Sequence, residues 1–233
     1  MLLNCEEQRL TSEEAQRRLL ALPGEPLFYA DWTEVLFIHL EVPPEKLQPS
    51  VPFELDLHDS RAFVSLVLFT MRQFRPVRGG RLTEWVFRHF PDQHFLNVRT
   101  YVRSGEDVGI HFMTEWVSDR LSCRLGPPLY CLPYHLGKHE REQGSMPGRF
   151  QACVTDCKTR LQFRCEAMKC SDQNYGPCHA GGLDEFLLER YAAFNASGLR
   201  QRAFQIWHPP WQQTKVCGLP YLRMNCCVGI LAG

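Results

Sequence analysis

The chain has 233 residues, with 26 Lys plus Arg balancing 26 Asp plus Glu and 44% hydrophobic residues. That length and apolar content fit one large domain or two small ones around a sizeable core. Zero net charge supplies no field to draw in nucleic acid or an anionic membrane, and no apolar run approaches the roughly 20 residues needed to span a bilayer.

The opening residues, MLLNCEEQRLTSEEAQRRLL, carry acids and bases where a secretory leader would be apolar. TSEEAQRRLLAL, at 11–22, begins with Thr and Ser ahead of Glu, an N-cap signature that predicts a short amphipathic helix ended by Pro23 and Gly24. From Trp32 the period changes to two. TEVLFIHLEV places Val35, Phe37 and His39 on one face and Leu36, Ile38 and Leu40 on the other. A Pro-punctuated link follows, with one helical turn expected around Glu45–Gln48. RAFVSLVLFTMRQF, at 61–74, predicts a long strand buried on both faces near its middle.

After a loop through Arg75–Gly80, residues 94–118 predict a hairpin around Ser104-Gly105-Glu106-Asp107. Further strands are expected near 129–136, 149–155 and 159–168. GLDEFLLERYAAF, at 182–194, predicts a helix whose apolar stripe is Leu183, Phe186, Leu187, Tyr191 and Phe194. QIWHPPWQQTKV is extended and limited by proline. With no internal repeat, the pattern predicts one mainly β domain over 1–233, with a helical extension through residue 29 and a tail from residue 216.

Several well-spaced strings carry a resemblance. They are LNVRTYVR at 96–103, GIHFMTEWVSDRLSCRLGPPLYCLPYHLGK at 109–138, LDEFLLERYAAF at 183–194 and IWHPPWQQ at 206–213, preceded by DWTEVLFIHLEVPPEKLQPSVPFELDL at 31–57. Together they resemble the YqjF-like domain-of-unknown-function family within the acetoacetate decarboxylase-like superfamily. The resemblance implies a mainly β (α+β) fold: a strongly curved antiparallel β-barrel, or cone, with a few peripheral helices and a polar interior pocket. In acetoacetate decarboxylase a lysine in that cone forms a Schiff base with a β-keto acid, and a second lysine beside it lowers its pKa. Laying Leu132-Pro133-Tyr134-His135 over that Pro-Lys-Lys string puts Tyr134 at the reactive amine and His135 at its neighbour. A phenol forms no imine. Lys138 would share the face of Tyr134 if the strand ran regularly, but Gly137 intervenes.

Asn97, Arg99, Tyr101 and Arg103 alternate along one strand face. They either form a solvated face or point into the barrel, where Arg99 would hold a carboxylate and Tyr101 would donate a hydrogen bond. Glu115 on the next strand is a partner for Arg99 or a pocket carboxylate of raised pKa, and His111 and Met113 share its parity. His135 and His139 are candidate bases or partly exposed polar residues. Arg190 reaches a carboxylate or a strand-end carbonyl, and Trp211 is a core or lid aromatic. Cys153, Cys157, Cys165, Cys170, Cys178 and His179 are dense but lack the paired spacing of a zinc site, so small buried hydrophobes are the expected reading and no metal or other cofactor is expected.

The 11 cysteines, an odd number, suit a reducing compartment, so a cytoplasmic location is expected. The expected function is binding of a small organic acid in a polar pocket by Asn97, Arg99 and Tyr101, with Glu115, Tyr134 and His135 as further polar contacts and no Schiff-base lysine. Whether the chain is an enzyme is left open, and the catalysis these residues suit is proton transfer next to a carbonyl by a Glu or His base. The alternatives are a non-catalytic ligand sensor or interaction scaffold, and a decarboxylase using Lys138. The expected partner is a small molecule such as a carboxylate rather than nucleic acid or membrane, and a homo-oligomer stays open.

Overall fold

The computed structural model describes residues 12–21, 26–78, 91–143, 149–169 and 175–217. Its frame is set by the β-branched and aromatic runs. Strands β1 (Phe28–Val42), β2 (Glu54–Leu55), β3 (Ala62–Pro76), β4 (Gln93–Ser104), β5 (Asp107–Val117), β6 (Tyr134–Gln143), β7 (Arg149–Asp156), β8 (Gln162–Lys169), β9 (Ala192–Ser197), β10 (Arg200–Gln205) and β11 (Val216–Cys217) form one sheet. Its main path runs β1-β3-β4-β5-β6-β7-β8-β11, with β9 and β10 branching from β5 and β2 pairing with β4. Most neighbours are antiparallel, but β5 meets both β6 and β9 in parallel. The curved, mainly β architecture is therefore as the resemblance implies, with two parallel junctions added.

Helices α1 (Ser12–Ala21), α2 (Pro44–Leu47), α3 (Arg120–Tyr130) and α4 (Leu183–Leu188) flank the sheet. The α1 and α2 placements and the 104–107 hairpin agree with the sequence. Gly105 takes φ +65°, which the tight turn needs and a side chain would resist. Helix α3 is a departure, because no helix is expected there and 129–136 is expected to be a strand. Asp119 caps the helix by accepting from the Ser122 amide at 2.7 Å, and Cys131 closes it in the left-handed region at φ 55°. The strand starts only at Tyr134. The second departure is α4, which stops at Leu188, so Tyr191 lies beyond it and Phe194 belongs to β9.

The two faces of β1, β3 and β4 pack differently. Leu36, Leu66, Leu68 and Leu96 face Ala152, Val154, Phe163, Cys165 and Ala167 of β7 and β8, which curl beneath them. Each such leucine, removed from water, contributes roughly 1.5–3 kcal/mol. The opposite face carries Phe63, Val67, Phe69, Phe95 and Tyr101 and is covered by α3, α4 and the segment 206–213. That second face holds the polar residues of interest.

Candidate functional site

Strand register brings the residues together. Phe37 pairs with Val67, Val67 with Asn97, Asn97 with Glu115, and Glu115 with Tyr134, making one lateral row across β1, β3, β4, β5 and β6. The next row joins His39, Ser65 and Arg99. Side chains opposite one another in such rows have Cβ atoms about 5 Å apart. Asn97, Arg99, Tyr101, Glu115 and Tyr134 thus share one face. It is the face beneath α3, α4 and segment 206–213, not the leucine-lined curl closed by β7 and β8.

A bulge makes this possible. Between Val98 and Arg99 the β4–β5 register slips, so Met113 is the extra residue and Phe112 lies opposite Arg99. The slip reverses the alternation along β5. His111, which the sequence parity places with Glu115, instead packs beside Phe53 and bonds the Phe194 carbonyl oxygen at 2.9 Å.

Arg99 is 5% exposed. Its guanidinium donates to the Leu187 carbonyl at 3.2 Å and lies 5.2 Å from the Phe37 ring centre. Among the described residues no carboxylate comes within 4.0 Å of it, and its Nε has no partner. Asn97 Oδ1 and Glu115 Oε1 are likewise buried without a partner among the described residues. Burial, opposed only in part by Arg99, holds the Glu115 carboxyl well above the usual carboxylate range. Burial and then Glu115 push the Tyr134 phenol well above its ordinary value. The Tyr134 ring turns inward, edge-on to Phe95 at 6.3 Å and against Gly126, where any side chain would overlap it.

Tyr101 donates to the Leu187 carbonyl at 2.9 Å and meets Ser65 Oγ at 2.6 Å, which in turn meets His39 Nδ1 at 2.7 Å. Trp211 packs against Phe37 at 5.8 Å, and His208 stacks on Tyr191 at 4.7 Å, so segment 206–213 roofs the cluster. The roof is pinned by Glu189, which accepts from the Trp211 amide at 2.8 Å and the Tyr191 hydroxyl at 2.6 Å.

Residues 29–221 match the DUF2071 family, described as an uncharacterized conserved protein. The chain belongs to that family. The uncharacterized protein YqjF of Bacillus subtilis is 27% identical over 213 residues, covering 86% of this chain and 81% of YqjF. Among solved structures, an acetoacetate decarboxylase-like enzyme from Sphingomonas wittichii superposes with a TM-score of 0.50 at 15% identity, over 78% of this chain and 71% of that one. Acetoacetate decarboxylase from Legionella pneumophila gives 0.52 at 13%, over 79% and 68%. The enduracididine biosynthesis enzyme MppR, complexed with pyruvate, gives 0.50 at 13%, over 79% and 71%. These likenesses show that this DUF2071 chain has the acetoacetate decarboxylase-like fold.

Other residues marked by the sequence stand apart from the cluster. His135 is exposed on the opposite side of β6, 5.9 Å from the Trp116 ring and 4.0 Å from Asp156. Lys138 is fully exposed and ion-paired to Glu140 at 2.5 Å, which raises its pKa. The other lysines, 46, 158, 169 and 215, are exposed except Lys169, which is half-buried over Tyr175. His139 lies on the far face near His94, with burial and then Arg141 lowering its pKa to about 3. Arg190 reaches both partners open to it, donating to Asp56 at 2.8 Å and to the Phe186 carbonyl at 2.7 Å. Cys153 and Cys165 are buried, Cys178 is half-buried, Cys157 is exposed, and Cys170 falls outside the described residues.

No helix among the described residues is long and apolar enough to cross a membrane. A cavity of about 350 Å³ lies between α1, the start of β5 and β10, and none of the sequence-predicted site residues lines it.

Two residues of the cluster, His39 and Ser65, were not marked by the sequence. The signal for Ser65 is a hydroxyl within a strand buried on both faces, which also carries Thr70, since a buried hydroxyl requires a partner.

Proposed function

We propose that this DUF2071 protein binds a small organic acid at Arg99, with Asn97, Tyr101 and Tyr134 around it and Glu115 as its proton donor or acceptor. The observation that carries this reading is Arg99 itself, a buried cation that faces a carbonyl and a ring and has no described carboxylate within 4.0 Å. A buried charge left unmatched costs several kcal/mol, and a bound carboxylate would offset that cost through bidentate hydrogen bonds. Asn97 Oδ1 and Glu115 Oε1 supply further open hydrogen-bonding positions beside it.

The chemistry suited to these groups is proton transfer next to a carbonyl rather than amine catalysis. Burial shifts the Glu115 carboxyl towards its protonated form, which can donate to a ligand oxygen, and raises the Tyr134 phenol further above its ordinary range. Lys138 is a solvated, ion-paired ammonium, and a Schiff-base nucleophile needs the free amine. His135 has no role in this reading, because it lies exposed on the other side of β6. A non-catalytic sensor would use the same contacts, and a decarboxylase would need a lysine adduct.

A thermal-shift screen against small carboxylates tests the binding reading. At least one acid should raise the melting temperature, and Arg99→Ala should abolish that rise; if no acid stabilises the fold, the reading is wrong. Borohydride treatment with a β-keto acid, followed by mass spectrometry, should leave every lysine unmodified. Turnover of a bound acid, lost in Glu115→Gln, separates enzyme from sensor.

A further inference from the structure

The hydrogen bonds from β1 to α4 have only one consistent direction. Leu187 contributes a carbonyl oxygen, which can only accept, so the single Tyr101 hydroxyl proton goes to it. Tyr101 then has no proton left for Ser65, so the 2.6 Å contact is Ser65 donating to Tyr101 Oη. Ser65 has in turn spent its only proton. The 2.7 Å contact to His39 is therefore Nδ1–H donating to Ser65 Oγ.

This fixes the imidazole. With the proton on Nδ1, Nε2 holds a lone pair, and among the described residues Nε2 has no hydrogen-bond partner. Ser65 is completely buried and Tyr101 nearly so, so water does not substitute for either link. His39 and Arg99 flank Ser65 in the same lateral row, which sets their backbones about 10 Å apart, two strand spacings. Both side chains extend from the same face of the sheet.

We infer that Ser65 and Tyr101 are positioning residues that lock His39 as the Nδ1–H tautomer, so that Nε2 is a fixed hydrogen-bond acceptor selecting carboxylates that also carry a hydroxyl. The inference rests on the proposed binding at Arg99: the guanidinium takes the carboxylate, and His39 Nε2 accepts from the hydroxyl. An acid with no donor leaves Nε2 unmatched. Burial and then Arg99 lower the His39 pKa to about 4, so the lone pair stays free at neutral pH.

The experiment has two arms. Long-range 1H–15N correlation spectra of the unliganded full chain, with His39 assigned by its loss in His39→Phe, should show a protonated Nδ1 and a bare Nε2. Ser65→Ala should shift His39 towards a mixture or the other tautomer, while Ser65→Thr, which keeps the hydroxyl, should preserve it. A dominant Nε2–H form in the native chain overturns the inference without touching the proposed carboxylate site.

In the second arm, lactate and propionate are titrated into native protein and His39→Phe. One neutral hydrogen bond predicts a preference for lactate of about 2–12-fold, lost in the variant. Equal affinities in the native chain overturn the selectivity. If neither these nor any other carboxylate binds, the proposed function fails and the selectivity with it, while the tautomer is judged separately by the first arm.

Discussion

The α4 turn is held to the sheet by Asp56, and its removal should be among the most damaging single changes in the protein. The Asp56 side chain is fully buried, and it accepts from Arg190, 5% exposed, at 2.8 Å and from Arg103, 25% exposed, at 3.0 Å. Arg190 also donates to the Phe186 carbonyl and lies 4.2 Å from the Phe186 ring centre. Asp56→Ala leaves a buried guanidinium without its carboxylate, a loss of roughly 3–5 kcal/mol. At about 2–4 °C per kcal/mol for a chain this long, the melting temperature should fall by roughly 6–20 °C. The control is Arg61→Ala, whose 39%-exposed side chain pairs with Glu41 and Asp59 at 3.5 Å and should cost about 1 kcal/mol or less. Differential scanning fluorimetry, backed by urea titration, measures both. A drop for Asp56→Ala no larger than for Arg61→Ala would refute the reasoning, because it would mean that the Arg190 charge is not confined.

Three further outcomes follow from the site. Glu115 is raised on folding, so its contribution to stability is fullest below pH 4.5 and is lost as pH rises towards its folded value; Glu115→Gln should therefore gain on the native chain from pH 4.5 to pH 8 in urea titrations, and parallel curves would contradict the buried acid. His39 is lowered to about 4, so its contribution is present above pH 6.5 and lost as pH falls through 4. His39→Phe should remove up to about 3 kcal/mol of acid destabilisation across that window, read from the same titrations. Gly126→Ala drives a methyl into the Tyr134 ring and should destabilise by about 1–3 kcal/mol despite the better helix propensity of alanine, measured by thermal melt.

Much of the frame was legible because its signals are local. Alternation located β1, β3 and the β4–β5 hairpin, and the parity of Asn97, Arg99 and Tyr101 placed all three on one face. What escaped depends on distant contacts. Period two contains no sign of the bulge at Met113, so His111 is assigned to the wrong face. The strand expected near 129–136 begins only at Tyr134, because the Asp119 cap opens a helix that runs through Pro127 and Pro128 to Tyr130. The apolar stripe of 183–194 predicts a longer helix than forms, because Arg190 and Tyr191 leave it to meet Asp56 and Glu189. Ser65 reads from the sequence only as a buried hydroxyl in need of a partner, and its place between Tyr101 and His39 comes from strand register.

Arg190 and Arg99 make the most informative comparison in the molecule. Both are buried, both stack on a phenylalanine, and both donate to a carbonyl of α4. Arg190 is completed by the Asp56 carboxylate. Arg99 has a carboxyl group on the adjacent strand, Glu115, but the two do not come within 4.0 Å of each other, and burial raises that carboxyl well above the usual range. Burial therefore does not by itself explain the open position at Arg99, since the same fold matches an equally buried cation elsewhere. The difference is in the neighbours: Arg190 is met by Asp56 and the Phe186 carbonyl, whereas around Arg99 Asn97 Oδ1 and Glu115 Oε1 also have no partner among the described residues. A buried cation beside acceptors that have no partner among the described residues is unfavourable as packing, and the proposed acid would relieve it by bringing a negative charge and a donor of its own.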